Sequence, residues 1–80
     1  MTYVHLLRSE KDPRQVYVGL TSDFDRRLAE HNAGKSVHTA KYMPWRGAVC
    51  LAFADKHRAL EFEAYLKSGS GRAFANRHFW

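Results

Sequence analysis

Residues 16–32 read Val16-Tyr17-Val18-Gly19-Leu20-Thr21-Ser22-Asp23-Phe24-Asp25-Arg26-Arg27-Leu28-Ala29-Glu30-His31-Asn32, and two element types meet within them. Gln15 to Leu20 is β-branched and aromatic, which suits a strand. Thr21-Ser22-Asp23 then offers an N-cap, Phe24 and Leu28 recur one turn apart, and Asn32-Ala33-Gly34 supplies a stop, so a helix is expected over 23–32. Toward the N-terminus, residues 2–8 also read as a strand, and Ser9 to Arg14 carries Asp12-Pro13 as a turn, which makes a hairpin. Toward the C-terminus, Lys35 to Trp45 reads as a loop closed by Pro44. Gly47 to Ala54 is a continuous apolar run, expected as a strand covered on both faces or central in its sheet. Asp55 is the next N-cap candidate, for a helix from Lys56 to Lys67. Ser68-Gly69-Ser70-Gly71 ends that helix, and Arg72 to His78 forms a short last one. The order β-β-α-β-α-α is of the α/β (α+β) class.

Eighty residues leave room for one hydrophobic core, so the chain is expected to be a single domain and not a large multilayer enzyme. A hydrophobic fraction of 45% excludes a disordered tail, and the single cysteine, Cys50, excludes both a disulfide framework and a Cys-ligated zinc knuckle. No stretch reaches the ~20 apolar residues of a membrane span, and the N-terminus lacks the features of a signal peptide, so a cytoplasmic protein is expected. Thirteen Lys and Arg against eight Asp and Glu give a net charge of +5, which favours an anionic partner, nucleic acid first, or else serves solubility.

Several polar residues stand where packing would place apolar ones. On the first helix Arg27 and His31 fall on the side of Phe24 and Leu28 and are i, i+4 neighbours, while Arg26 and Glu30 point away. In structural terms Arg27 lays its stem over the core and His31 satisfies a backbone carbonyl. On the second helix Ala59, Phe62 and Leu66 set an apolar stripe with Glu63 in its middle. A carboxylate there requires a cation, a metal or hydrogen-bond donors. Lys67, four residues on, supplies an ordinary salt bridge; a metal ligand at a cleft is the functional alternative. Tyr3, His5 and Leu7 share one face of the first strand. If Tyr17 lies on that face and the two helices cover it, then Tyr17, His5, Arg27, His31 and Glu63 converge on one pocket.

From His31 to Ala54 there is no acidic residue. Lys35, Lys41 and Arg46 are interleaved there with His38, Tyr42 and Trp45, a composition that suits a phosphate backbone and stacked bases. Ser68-Gly69-Ser70-Gly71-Arg72 adds free backbone N–H groups at a helix start, either a phosphate contact or a plain turn.

Taken in order, Tyr3-Val4-His5, Val16-Tyr17-Val18-Gly19, Thr21 to Asn32, Gly34-Lys35, His38 to Tyr42, Pro44-Trp45 and Ala59 through Glu63 to Arg72 resemble the GIY-YIG nuclease superfamily, above all its small single-domain bacterial members. The resemblance spans nearly the whole chain and implies a three-stranded, mainly antiparallel sheet flanked by helices. It implies DNA phosphodiester hydrolysis assisted by one Mg2+ or Mn2+ ion. Tyr17 is then the tyrosine of the second half-motif and Gly19 its glycine, where a side chain would obstruct the approach. Arg27 stabilises charge on the attacked phosphate, His31 hydrogen-bonds or accepts a proton from the base, and Glu63 ligates the metal. Lys35, His38, Lys41, Arg46, Lys67 and Arg72 are left to hold the DNA backbone. The first half-motif normally ends in tyrosine, often assigned as general base. Here it is His5, which either replaces that base, having an ordinary pKa near 6.5, or marks a weakened activity.

Three functions follow as expectations: a metal-dependent endonuclease that is structure-guided or weakly sequence-specific, a non-catalytic nucleic-acid-binding module on the same fold, or a protein-interaction domain. So small a surface leaves specificity to DNA shape or to a protein partner.

Overall fold

In the computed structural model, which describes residues 1–80, the hairpin forms from β1, Thr2–Ser9, and β2, Val16–Thr21. Ser9 ties its turn: the hydroxyl accepts from the backbone N–H of Lys11 at 3.1 Å and of Asp12 at 3.0 Å. β1 pairs antiparallel with β2 from Tyr3↔Thr21 to Arg8↔Val16, and antiparallel on its other side with β3, Trp45–Phe53. The sheet is therefore three-stranded and antiparallel, in the order β2-β1-β3.

That order overturns the expected place of the apolar run 47–54. β3 is an edge strand, begins at Trp45, and is mostly exposed. Its small residues, Gly47, Ala48 and Ala52, lack the bulk to fill two interfaces. The central strand is β1, where Val4, His5, Leu6 and Leu7 are consecutively buried.

Four helices follow from local chemistry. Asp23 caps α1, Phe24–Asn32, by accepting from the Arg26 N–H, and past the C-cap Gly34 takes φ +75°, a left-handed conformation that favours glycine. The stretch expected as a loop contains a short helix, α2, Val37–Ala40. Asp55 caps α3, Lys56–Leu66, accepting from His57 and Arg58. The glycine-serine stretch, expected as the stop of one helix and the approach to the next, itself forms the first turn of α4, Gly69–His78, which begins three residues before Arg72. Ser68 is its N-cap and accepts from Gly71 at 3.2 Å. The tight α3–α4 junction makes this possible: a Cβ on Gly71 would lie 1.7 Å from the Tyr65 carbonyl oxygen, so only glycine fits.

The helices lie on both faces of the sheet. α3 and α4 cover one, where Val4, Leu6, Ala59, Leu66 and Ala75 form the main core with Val18, Val49, Phe62 and Phe74 against it. Full burial of a leucine such as Leu6 or Leu66 stabilises the fold by about 1.5–3 kcal/mol. α1 and α2 cover the opposite face, which carries His5, Leu7 and, across the β1–β2 register, Tyr17 and Gly19.

Candidate active site

Register places the first group of candidate residues. Tyr17 stands opposite Leu7 and so shares a face with His5; their rings stack at 5.9 Å, tilted by 28°. His31 descends from α1 onto Tyr17, edge to face at 4.8 Å, and lies 6.1 Å from His5. β2 being an edge strand, half-buried Tyr17 sits where this aromatic cluster meets solvent. Gly19 leaves room for it: a Cβ there would meet His5 Nε2 at 2.7 Å and Tyr17 Cε2 at 2.8 Å. The missing side chain thus makes space for His5 and Tyr17 themselves.

Both histidines are buried, His5 at 1% exposure and His31 at none. His31 does not satisfy a backbone carbonyl; its Nδ1 is 2.7 Å from the Thr39 hydroxyl. Thr39 is in turn fixed by the Trp45 indole N–H, which donates to its carbonyl at 2.8 Å. Asn32 clamps Trp45, donating to its carbonyl at 2.9 Å and accepting from its N–H at 2.5 Å. Nε2 of His31 and both ring nitrogens of His5 have no hydrogen-bond partner. Burial, reinforced by His31 and Arg27, lowers the His5 pKa to about 4; burial and then Arg27 lower that of His31. Both rings are neutral at pH 7.

Arg27 sits on the same side of α1, but Glu30 does not point away as the helical wheel implied. Its carboxylate pairs with Arg27 Nη1 at 3.1 Å and, together with the neighbouring Tyr17 phenol, raises the guanidinium pKa further.

Glu63 does not join this pocket through a shared face, because α3 packs on the opposite side of the sheet from α1. Its side chain is only 16% exposed and is ion-paired with Lys67 Nζ at 2.6 Å. Lys67 leads back to Tyr17: both line a pocket of about 500 Å³ at the β2 edge, together with Arg72. The edge strand thus carries Tyr17 between Arg27 and His31 on one side and Lys67 and Arg72 on the other.

The remaining basic residues do not form one surface. Lys35, His38 and Lys41 are exposed on or beside α2, with Lys41 Nζ 5.5 Å from the centre of the Tyr42 ring. Arg46 pairs across the sheet with Arg8 on the α4 face, where Arg8 stands 5.0 Å over the Trp80 ring. Trp45, expected among the base-stacking aromatics, is 4% exposed and faces Tyr17. Sequence reasoning missed Thr39, Asn32 and Glu30 as partners of the site. Glu30 was detectable as the i+3 acid of Arg27, but nothing local ties Asn32 or Thr39 to residues of another element.

No three His, Cys, Asp or Glu side chains converge as a metal cage. A nearly buried single carboxylate fits Mg2+ completed by waters and substrate phosphate, not a zinc with four protein ligands.

An antiparallel sheet with helices on both faces, a tyrosine on its edge strand and cations to either side defines a small α+β domain. The chain belongs to the GIY-YIG catalytic domain family, whose model matches residues 1–77. It is 48% identical over 52 residues to a UPF0213 protein of Lacticaseibacillus paracasei, covering 64% of this chain and 58% of that one. It is 43% identical over 67 residues to the structure-specific endonuclease subunit SLX1 of Scheffersomyces stipitis, covering 75% of this chain and 20% of that one. The chain thus spans little more than half the length of the first of these relatives and a fifth of the second. The solution NMR structure of a UPF0213 protein from Bacillus halodurans superposes with a TM-score of 0.58 at 33% identity, covering 96% of this chain and 82% of that one.

Proposed function

We propose that this protein is a divalent-metal-dependent DNA endonuclease acting on branched or otherwise distorted DNA. The observation that carries this is Tyr17 at the sheet edge between two sets of cations, Arg27 in the α1 layer and Lys67 with Arg72 in the α3–α4 layer. Membership of a catalytic-domain family and likeness to a structure-specific endonuclease subunit support it.

Hydrolysis joins a water oxygen to phosphorus, breaks one P–O bond to sugar and requires a proton for the leaving oxygen. Arg27 supplies positive charge to the phosphate oxygens as negative charge builds there. The Tyr17 hydroxyl orients the attacking water. The proton leaves the water through that hydroxyl to neutral His31, whose Nε2 is buried and has no other partner, and returns by the same route to the leaving oxygen, while the Nδ1 contact with Thr39 fixes the ring. His5, buried against Tyr17 and with its pKa lowered to about 4 by desolvation, is assigned to shaping the surface on which Tyr17 rests and not to the base. Glu63 would hold a Mg2+ or Mn2+ ion after exchanging its contact with Lys67, and the ion would supply Lewis-acid polarisation of the phosphate. Lys67 and Arg72 contact the strand leading from the scissile phosphate.

Nicking of branched and plasmid DNA with magnesium or manganese is the test. Wild type should cleave, while folded Glu63→Ala and Arg27→Ala should lose at least a hundredfold in rate; equal trace activity in wild type and Glu63→Ala defeats the proposal. The Lys67–Glu63 ion pair favours a second reading, a non-catalytic DNA-binding module, for which binding without metal and no cleavage is the expected result.

A further inference from the structure

Beside Tyr17, the pocket at the β2 edge has more than phosphate-binding character. Its walls include Val16, Leu66, Ala75 and Trp80, while Lys67, Arg72 and the Asn76 amide supply the polar groups. At about 500 Å³ it has the size of a small-molecule site, not of a phosphate nest. Trp80 carries the Arg8 guanidinium 5.0 Å over its ring, so a third cation stands beside the same wall. Apolar walls with a neutral amide match the faces and edge of a nucleobase, and the cations match the phosphates flanking it.

We infer that this pocket receives an unpaired nucleobase of the DNA strand, next to the phosphate presented to Tyr17. This deepens the endonuclease reading and rests on it: the pocket makes an unpaired nucleotide the feature by which branched DNA is recognised. A base already unstacked enters without the cost of opening a pair, whereas intact duplex must meet that cost. Lys67 and Arg72 then hold the phosphates on either side, and Asn76 hydrogen-bonds the base edge.

The test is equilibrium binding in EDTA, so that no cleavage intervenes, to a junction oligonucleotide with one unpaired nucleotide. That position carries either 2-aminopurine or an abasic sugar. Wild type should bind the 2-aminopurine DNA at least tenfold more tightly than the abasic DNA, with its fluorescence quenched on binding. Val16→Trp, which fills the pocket from a position 44% exposed, should bring that affinity ratio to about one. Equal wild-type affinity for the two DNAs overturns the inference, as does a ratio unchanged in both Val16→Trp and Trp80→Ala. A preserved ratio in a protein that never cleaves DNA with metal supports the pocket and defeats only the endonuclease reading. Cleavage with a ratio of one defeats only the pocket, and absence of DNA binding defeats both.

Discussion

His5 shows how one buried group sets a pH limit on the molecule. Desolvation holds its pKa near 4 in the fold against about 6.5 in the unfolded chain. Above pH 6.5 neither state binds the proton and the residue adds no acid sensitivity. As pH falls from 6.5 toward 4 the unfolded chain protonates first, and stability drops by up to about 3 kcal/mol. Buried His31 shifts in the same direction and adds to the slope. His5→Leu should therefore flatten the denaturation-midpoint profile between pH 6.5 and 4, measured by urea titration; a variant as acid-sensitive as wild type refutes this. Thr39→Val removes the hydroxyl 2.7 Å from His31 Nδ1 at nearly constant volume. It should cost about 1–2 kcal/mol and lower kcat more than it changes KM, with Thr39→Ser restoring much of both. A Thr39→Val enzyme with unaltered kcat removes His31 from the proposed proton path.

Elements fix how these residues meet, and the α3–α4 junction is the least tolerant of them. A methyl group on Gly71 would overlap the Tyr65 carbonyl, so Gly71→Ala must push α4, and with it Ala75, away from Leu66 of α3. It should lower stability by about 3 kcal/mol, read as a fall in Tm. Removing the α3 cap by Asp55→Ala should cost about 1 kcal/mol and leave the fold intact. An unchanged Tm for Gly71→Ala contradicts the close packing. The Asp55 cap was legible in the sequence because a side-chain acceptor beside its own helix is a local signal, and the first cap was narrowed to Thr21-Ser22-Asp23, of which Asp23 serves. So was the Glu63–Lys67 pair, being an i, i+4 neighbourhood on one helix. The rank of the strands was not. Hydrophobicity singled out Gly47 to Ala54, but centrality depends on which strand finds two partners, and β1 does so with His5 among its buried residues. The site was half legible for the same reason. Residues sharing a strand face or a helix stripe could be grouped, but Glu63 and Arg46 lie across the sheet from residues close to them in the sequence-based grouping.

At the scale of the whole molecule, the longest dimension of 29 Å spans about 8 or 9 base pairs at 3.4 Å each, less than a turn of duplex. So short a footprint leaves little room to read sequence and puts weight on the distribution of charge. Lys35 and Lys41 belong to the α1–α2 layer, Lys67 and Arg72 to the α3–α4 layer, and the β2 edge with Tyr17 runs between the layers. On the proposed function, DNA presented to Tyr17 would lie across that edge and touch both layers at once. Each phosphate contact contributes about 0.9 to the slope of log K against log salt. Lys67→Ala with Arg72→Ala should lower the slope by about 2, and Lys35→Ala with Lys41→Ala by a similar amount, measured by fluorescence anisotropy in EDTA. Arg14, in the hairpin turn and outside the pocket beside Tyr17, should leave the slope unchanged when replaced by alanine. If only the α3–α4 pair moves the slope, DNA runs along one layer and not across the edge, and Arg27 is then placed beyond the reach of the phosphate that Lys67 and Arg72 hold.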